Sequence, residues 1–197
     1  MIISRKLLFL LLLVLYPFII ISQIETKKNI NACILPKVNI KTLSGENFNT
    51  SNISNEGKPI IINFWATNCK PCVKELSVIA DLYDYWQAET GVKIVAVSVD
   101  DSKTMFNVAP FVNGKGWEYE FYLDPNGDFK RAMNVNMIPH TFIINSDKEI
   151  VWQHVSYTEG DELQYIEVVK NILREQINDN NDIQQIDKEN IDDIINE

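Results

Sequence analysis

The sequence predicts an α/β domain of three layers, a mixed sheet between helices, and three observations carry that expectation. Ile60 to Trp65 is a continuous apolar run broken only by Asn63, as suits a central strand buried on both faces. It is followed at once by Lys70 to Thr90, where Cys72, Leu76, Ile79, Tyr83 and Trp86 recur at spacings of four, three, four and three residues, the period of a helix. Strand and helix patterns then alternate to a closing hairpin and helix, the order of a layered α/β fold.

Taken in order, Val38 to Leu43 alternates apolar and polar residues. Ser44-Gly45-Glu46-Asn47 turns the chain before Phe48, which predicts a short N-terminal β-hairpin ahead of the main sheet. Glu56-Gly57-Lys58-Pro59 punctuates the chain before the central strand. In the long helix Pro71 falls in the first turn, where its missing N–H is harmless, and Gly91 ends the helix. Val92 to Val99 reads as a second strand and Lys103 to Val112 as a short helix weakened by Pro110. Trp117 to Leu123 reads as a third strand, and Asp124-Pro125-Asn126-Gly127-Asp128 as a strong turn before a brief helix at Phe129 to Met133. Thr141 to Asn145 and Ile150 to Val155 form a hairpin about Ser146-Asp147-Lys148. Asp161 to Arg174 closes the domain, with Asp161 as cap and Leu163, Ile166, Val169 and Leu173 as the apolar face.

Four segments are expected: an N-terminal signal at 1–22, a linker at 23–35, the domain at 36–176 and an acidic tail at 177–197. Arg5 and Lys6 precede an apolar run from Leu7 to Ile21, with Ser22 offering a small residue for cleavage, the layout of a secretory signal. An uncleaved anchor is the alternative, although the run is short for a bilayer span. The net charge is −9, of which −6 lies between Asn178 and Glu197. No basic patch is available for nucleic acid. The tail has no Gly or Pro; its composition favours a solvated, disordered segment over a frayed helix. Cys33 is a lone cysteine in the linker. Ile30-Asn31-Ala32-Cys33 faintly resembles a lipoprotein site, but too far from the apolar run, so a free or transiently paired thiol is favoured.

The chemistry sits between the central strand and the long helix, in Cys69-Lys70-Pro71-Cys72. A helix N-terminus supplies partial positive charge and unpaired N–H groups that stabilise a thiolate, and Lys70 adds a cation. A disulfide closing so short a loop adds little folding stability, so it is free to open and close as chemistry. A structural metal would want about four ligands. With one further cysteine and two histidines in the chain, no metal is expected.

With these residues in view, the chain resembles the thioredoxin superfamily, and within it the exported TlpA/ResA-like disulfide reductases. The resemblance runs from about Pro36 to Arg174. It rests on Phe64-Trp65-Ala66 leading into the cysteine pair, Val95-Ala96-Val97-Ser98-Val99-Asp100, Leu123-Asp124-Pro125-Asn126-Gly127, and Ile138-Pro139. It implies a thioredoxin-like α/β/α fold with a central mixed sheet, the N-terminal hairpin and an inserted strand–helix segment. By the same resemblance Cys69 is the attacking thiolate and Cys72 the resolving thiol, the two forming a redox-active disulfide. Pro139 matches a cis-proline facing them, and Trp65, Ile138 and Pro139 are candidate substrate-binding residues.

Glu75, three residues after Cys72, lies on nearly the same helix face; the resemblance implies a glutamate here inside the active-site cavity, which makes it a candidate proton shuttle for the cysteines, and the alternative is a solvated helix glutamate. Asn63 stands where thioredoxins proper carry a buried acid, which moves any acid–base role toward Glu75 or water. His140 either lines the groove or has no role, and His154 is expected to have none. Asn68 replaces the Trp frequent before the first cysteine, which leaves the groove less apolar.

The resulting expectation is a periplasmic or cell-envelope thiol–disulfide oxidoreductase, acting as a reductant and as a monomer without a cofactor. It implies protein thiol or disulfide substrates, apocytochrome c among them, and a membrane thiol-relay protein as electron donor. A peroxiredoxin-like peroxide reductase is the enzymatic alternative. Its peroxidatic cysteine follows a Thr by three residues, whereas here Ala66 holds that place and Thr67 comes one later. A non-catalytic interaction module of the same fold is the other.

Overall fold

A computed structural model describes residues 33–195, with side chains to residue 178. The proposed signal and most of the linker lie outside the described residues. The central strand β4 (Ile60–Trp65) is buried along its whole length. It lies parallel to β5 (Lys93–Ser98), which in turn lies parallel to β6 (Glu120–Leu123). On its other side β4 meets β7 (His140–Ile144) antiparallel, and β7 pairs with β8 (Glu149–Val155) as the expected hairpin.

The N-terminal hairpin forms as expected, from β2 (Asn39–Thr42) and β3 (Asn47–Asn49). It also extends the sheet, because β2 pairs antiparallel with β6. The opposite edge is β1 (Cys33–Ile34), whose two residues pair with Ile150 and Glu149 of β8. The linker expected to run to residue 35 therefore gives up its last residues to the fold: Cys33 and Ile34 are in the sheet, and Leu35 is buried. The sheet of eight strands runs β1-β8-β7-β4-β5-β6-β2-β3 and is mixed.

Helix α1 (Lys70–Thr90) has the predicted bounds, and all five apolar positions of the pattern are buried. Gly91 follows it at φ 66°, the left-handed conformation that closes a helix and that glycine adopts without strain. Helix α2 (Val108–Lys115) starts later than expected, after a 3-10 turn at Met105–Asn107. Pro110 is accommodated because it falls in the first turn. A brief α3 (Asp128–Ala132) follows the Asp124–Gly127 turn. Trp117 and Tyr119 precede β6 rather than extending it, and their rings stay buried in the core.

The last helix, α4 (Glu162–Ile195), corrects two expectations. It continues through the acidic segment, where no Gly or Pro interrupts it, so the backbone from 177 is helical rather than coil. Its buried positions are Tyr165, Ile166, Val169 and Ile172, while Leu163 is 60% exposed. Asp161 accepts from Thr158 N at 2.7 Å and closes the turn ahead of the helix.

Strand alternation divides the core. Ile61, Trp65 and Ile143 face α1, α2 and α4, with Leu76, Ile79, Trp86, Val108 and Val169. Ile60, Ile62, Phe64, Phe142 and Ile144 face the other way, against Phe129 of α3 and the N-terminal residues Leu35, Ile40 and Ile53.

Candidate redox site

The turn from β4 into α1 places Cys69 at the N-cap of the helix. Its Sγ accepts from Cys72 N at 3.3 Å, as a capping side chain does. The two cysteines form a disulfide with their Cα atoms 5.3 Å apart. Cys69 is half-buried and Cys72 wholly buried, so a partner arriving from solvent meets Cys69 first. Lys70 is exposed beside it.

Opposite the pair, the Ile138–Pro139 peptide is cis. Ile138 O lies 4.0 Å from Cys69 Sγ. Ser156 N donates to Pro139 O at 2.8 Å, which ties the proline to the end of β8. Met137 is 60% exposed and Ile138 half-buried, so an apolar rim borders Cys69. Lys74, in the second turn of α1, pairs with Glu159 from the loop after β8 at 2.6 Å, both side chains well exposed.

The approach to Cys69 is clamped by a residue that sequence reading quoted in a strand but gave no role. Asp100, buried just after β5, accepts from Thr67 N at 2.8 Å, Thr67 Oγ1 at 2.7 Å and Ser98 Oγ at 2.8 Å. The only signal for it was an acid closing an otherwise apolar strand.

Trp65, expected among the substrate-binding residues, is wholly buried and offers no surface to a substrate. Its ring packs on Phe111, Trp117 and Phe121, supporting the redox loop from beneath. His140 does not line the groove next to the sulfurs either. It pairs with Phe64 in register, and its ring stacks on Phe142 (centroids 4.2 Å) toward the face away from α1. Its burial holds the imidazole below its usual pKa, favouring the neutral ring. His154 lies beside Asp161 at 3.1 Å.

Glu75 is not a solvated helix residue. It is wholly buried on the same side of α1 as Cys72, against Asn63 on β4, Thr141 on β7 and Tyr165 on α4. Tyr165 Oη donates to Oε1 at 2.7 Å, Thr141 Oγ1 to Oε1 at 2.8 Å, and Asn63 Nδ2 to Oε2 at 2.9 Å. Burial pushes the Glu75 carboxyl above its ordinary range, and the three donors pull against that without cancelling it. The site thus holds a buried acid of raised pKa on the helix face that carries Cys72, an arrangement able to give or take a proton.

A model of the AhpC/TSA family matches residues 32–153, well over half the chain. The chain belongs to the AhpC/TSA family. Among its relatives, the thiol–disulfide oxidoreductase ResA of Bacillus subtilis is 33% identical over 116 residues, covering 59% of this chain and 62% of that protein, just under two thirds of its length. The ResA of Geobacillus thermodenitrificans is 30% identical over 173 residues, 85% of this chain and 95% of that protein. In solved structures, an uncharacterized thioredoxin-like protein from Porphyromonas gingivalis is 49% identical, with a TM-score of 0.65 over 72% of this chain and 92% of that one. This AhpC/TSA member has the thioredoxin-like fold, and its kinship and cysteine pair make it a thiol–disulfide oxidoreductase.

Proposed function

We propose that the protein is an exported disulfide reductase of cell-envelope proteins. One observation carries the reading. The Cys69–Cys72 pair sits at the N-terminus of α1, opposite cis Pro139, with the first sulfur accessible and the second buried. In the reduced enzyme the Cys69 thiolate attacks one sulfur of a substrate disulfide. The S–S bond breaks, the second substrate sulfur leaves as a thiolate, and a mixed disulfide to Cys69 forms. Cys72, losing its proton, then attacks Cys69 Sγ, releasing the first substrate sulfur and closing the Cys69–Cys72 bridge. Two electrons pass to the substrate in one cycle, and a thiol-relay protein in the membrane returns them.

Glu75 takes the proton from Cys72 as it attacks and delivers it to solvent afterwards. Burial on the helix face that carries Cys72, one turn further along, and a raised pKa support this role, since an ordinary carboxylate is too weak a base for a thiol. Ile138 and Pro139 line the site where an extended substrate segment rests beside Cys69. Export is supported by Arg5, Lys6 and the apolar run after them. Among the described residues no helix is long and apolar enough to cross a membrane. Apocytochrome c and other envelope thiols are the clients this chemistry suits.

Insulin reduction by the purified domain tests the reading, with dithiothreitol recycling the enzyme. The wild type should accelerate precipitation of the insulin B chain, and Cys69→Ser should not exceed the uncatalysed rate. Full activity in Cys69→Ser would overturn it. Consumption of hydrogen peroxide at a comparable rate by the same preparation would replace it with the peroxidase reading.

A further inference from the structure

We propose that Tyr165 on α4 and Thr141 on β7 are positioning residues that grip one carboxylate oxygen of Glu75 and hold it ready to exchange a proton with Cys72. The inference rests on the reading of Glu75 as the proton carrier and names what makes it one. Two hydroxyls from different elements converge on Oε1, at 2.7 and 2.8 Å, while the Asn63 amide takes Oε2 at 2.9 Å.

The kinds of donor matter. An amide N–H only donates, so Asn63 holds Oε2 as an acceptor, whether Glu75 is ionised or carries its proton on Oε1. Its amide also donates to Thr141 Oγ1 at 2.7 Å, and its buried Oδ1 has no partner. A hydroxyl donates to an ionised oxygen and accepts from a protonated one. Tyr165 and Thr141 can therefore follow Glu75 through both protonation states without any heavy atom moving. Their bonds are stronger to the charged form, which offsets part of the burial that pushes the acid up.

Tyr165 is held for this task. It is wholly buried, and its ring packs against Trp152 at 5.3 Å and beside His154 at 6.3 Å. Of the other buried tyrosines, Tyr119 donates to Leu76 O at 2.6 Å and Tyr157 to Glu162 Oε2 at 2.9 Å. Tyr165 reaches Glu75, on the helix face that carries Cys72. Thr141 stands two residues after Pro139, so the same grip joins the substrate-facing loop, the redox helix and the C-terminal helix. The other ionisable groups whose charge reaches this cluster are His154 on β8, Tyr119 before β6, Tyr157 after β8 and Asp161 ahead of α4.

The test follows the 13C resonance of the Glu75 side-chain carboxyl against pH in the reduced full-length protein. That resonance reports the carboxyl itself and not His154. Losing one hydrogen bond to a charged oxygen should move its midpoint upward by about one pH unit, in Tyr165→Phe and in Thr141→Val alike. The pH profile of insulin reduction should move with it. A midpoint left in place in either folded variant would overturn the proposal; should one variant fail to fold, the other still decides. Glu75→Gln separates the two levels. If it keeps the wild-type pH profile, the proton-carrier reading falls and takes this inference with it. If it alters the profile while Tyr165→Phe and Thr141→Val leave the carboxyl midpoint unmoved, only the positioning role falls.

Discussion

Glu75→Gln is expected to keep the fold and lose most of the catalysed exchange. The cluster around Glu75 tolerates the amide. Gln Oε1 can face Asn63 Nδ2, and its NH₂ can face Thr141 Oγ1 and Tyr165 Oη, hydroxyls that turn from donor to acceptor. What is lost is a titratable proton. General acid–base help is worth roughly 10²- to 10⁴-fold, so single-turnover insulin reduction should slow by about a hundredfold or more. The limb of the pH–rate profile that reports Glu75 should vanish.

Stability gives an independent readout with a definite sign. The folded pKa of Glu75 is raised, so the folded state binds the proton more tightly than the unfolded chain. Its contribution to stability is complete below the unfolded value and is lost as pH rises through the folded one. Across that window stability should fall by about 1.4 kcal/mol per pH unit. Urea denaturation against pH should show that slope in the wild type and not in Glu75→Gln. An unchanged rate profile together with an unchanged stability slope would refute the reasoning.

Two further outcomes follow from the same geometry. In the reduced protein at mildly acidic pH, iodoacetamide should label Cys69 well before Cys72, because Cys69 is accessible at the helix N-terminus and Cys72 is wholly buried; mass spectrometry of the first adduct decides. Leu76→Ala should cost about 2–5 kcal/mol in chemical denaturation, since its side chain is wholly buried between α1 and the sheet. It should leave the order of cysteine labelling unchanged.

Much of the fold was legible because its signals are periodic and uninterrupted. Helix α1 carries an unbroken 3.6-residue pattern between a proline and a glycine, and its bounds came out as read. The site's frame was legible for a different reason: resemblance placed a cis-proline at 139, where physics alone favours trans. Alternation along a strand also fixes which side each residue faces. Asn63 and Trp65 share a face, so Trp65 follows Asn63 inward, and His140 and Thr141 must point to opposite sides.

Other features depended on contacts that no local pattern announces. Tyr165 falls outside the stripe of Leu163, Ile166, Val169 and Leu173 yet is wholly buried, while Leu163 is exposed. Whether β2 joins β6, or whether two residues at Cys33 find the edge of β8, is decided by partners far away in the chain. The polar richness of the acidic segment argued for coil, yet nothing in it breaks a helix already begun at Glu162.

In the proposed cycle Cys69 makes the covalent contact with substrate and Cys72 releases it. Incubating Cys72→Ser with an oxidised protein substrate and separating the products without reductant tests this directly. A stable mixed disulfide should form that mass spectrometry maps to Cys69, dissolved by dithiothreitol and absent from Cys69→Ser. A mixed disulfide accumulating on Cys72 in Cys69→Ser, with none on Cys69 in Cys72→Ser, would contradict it.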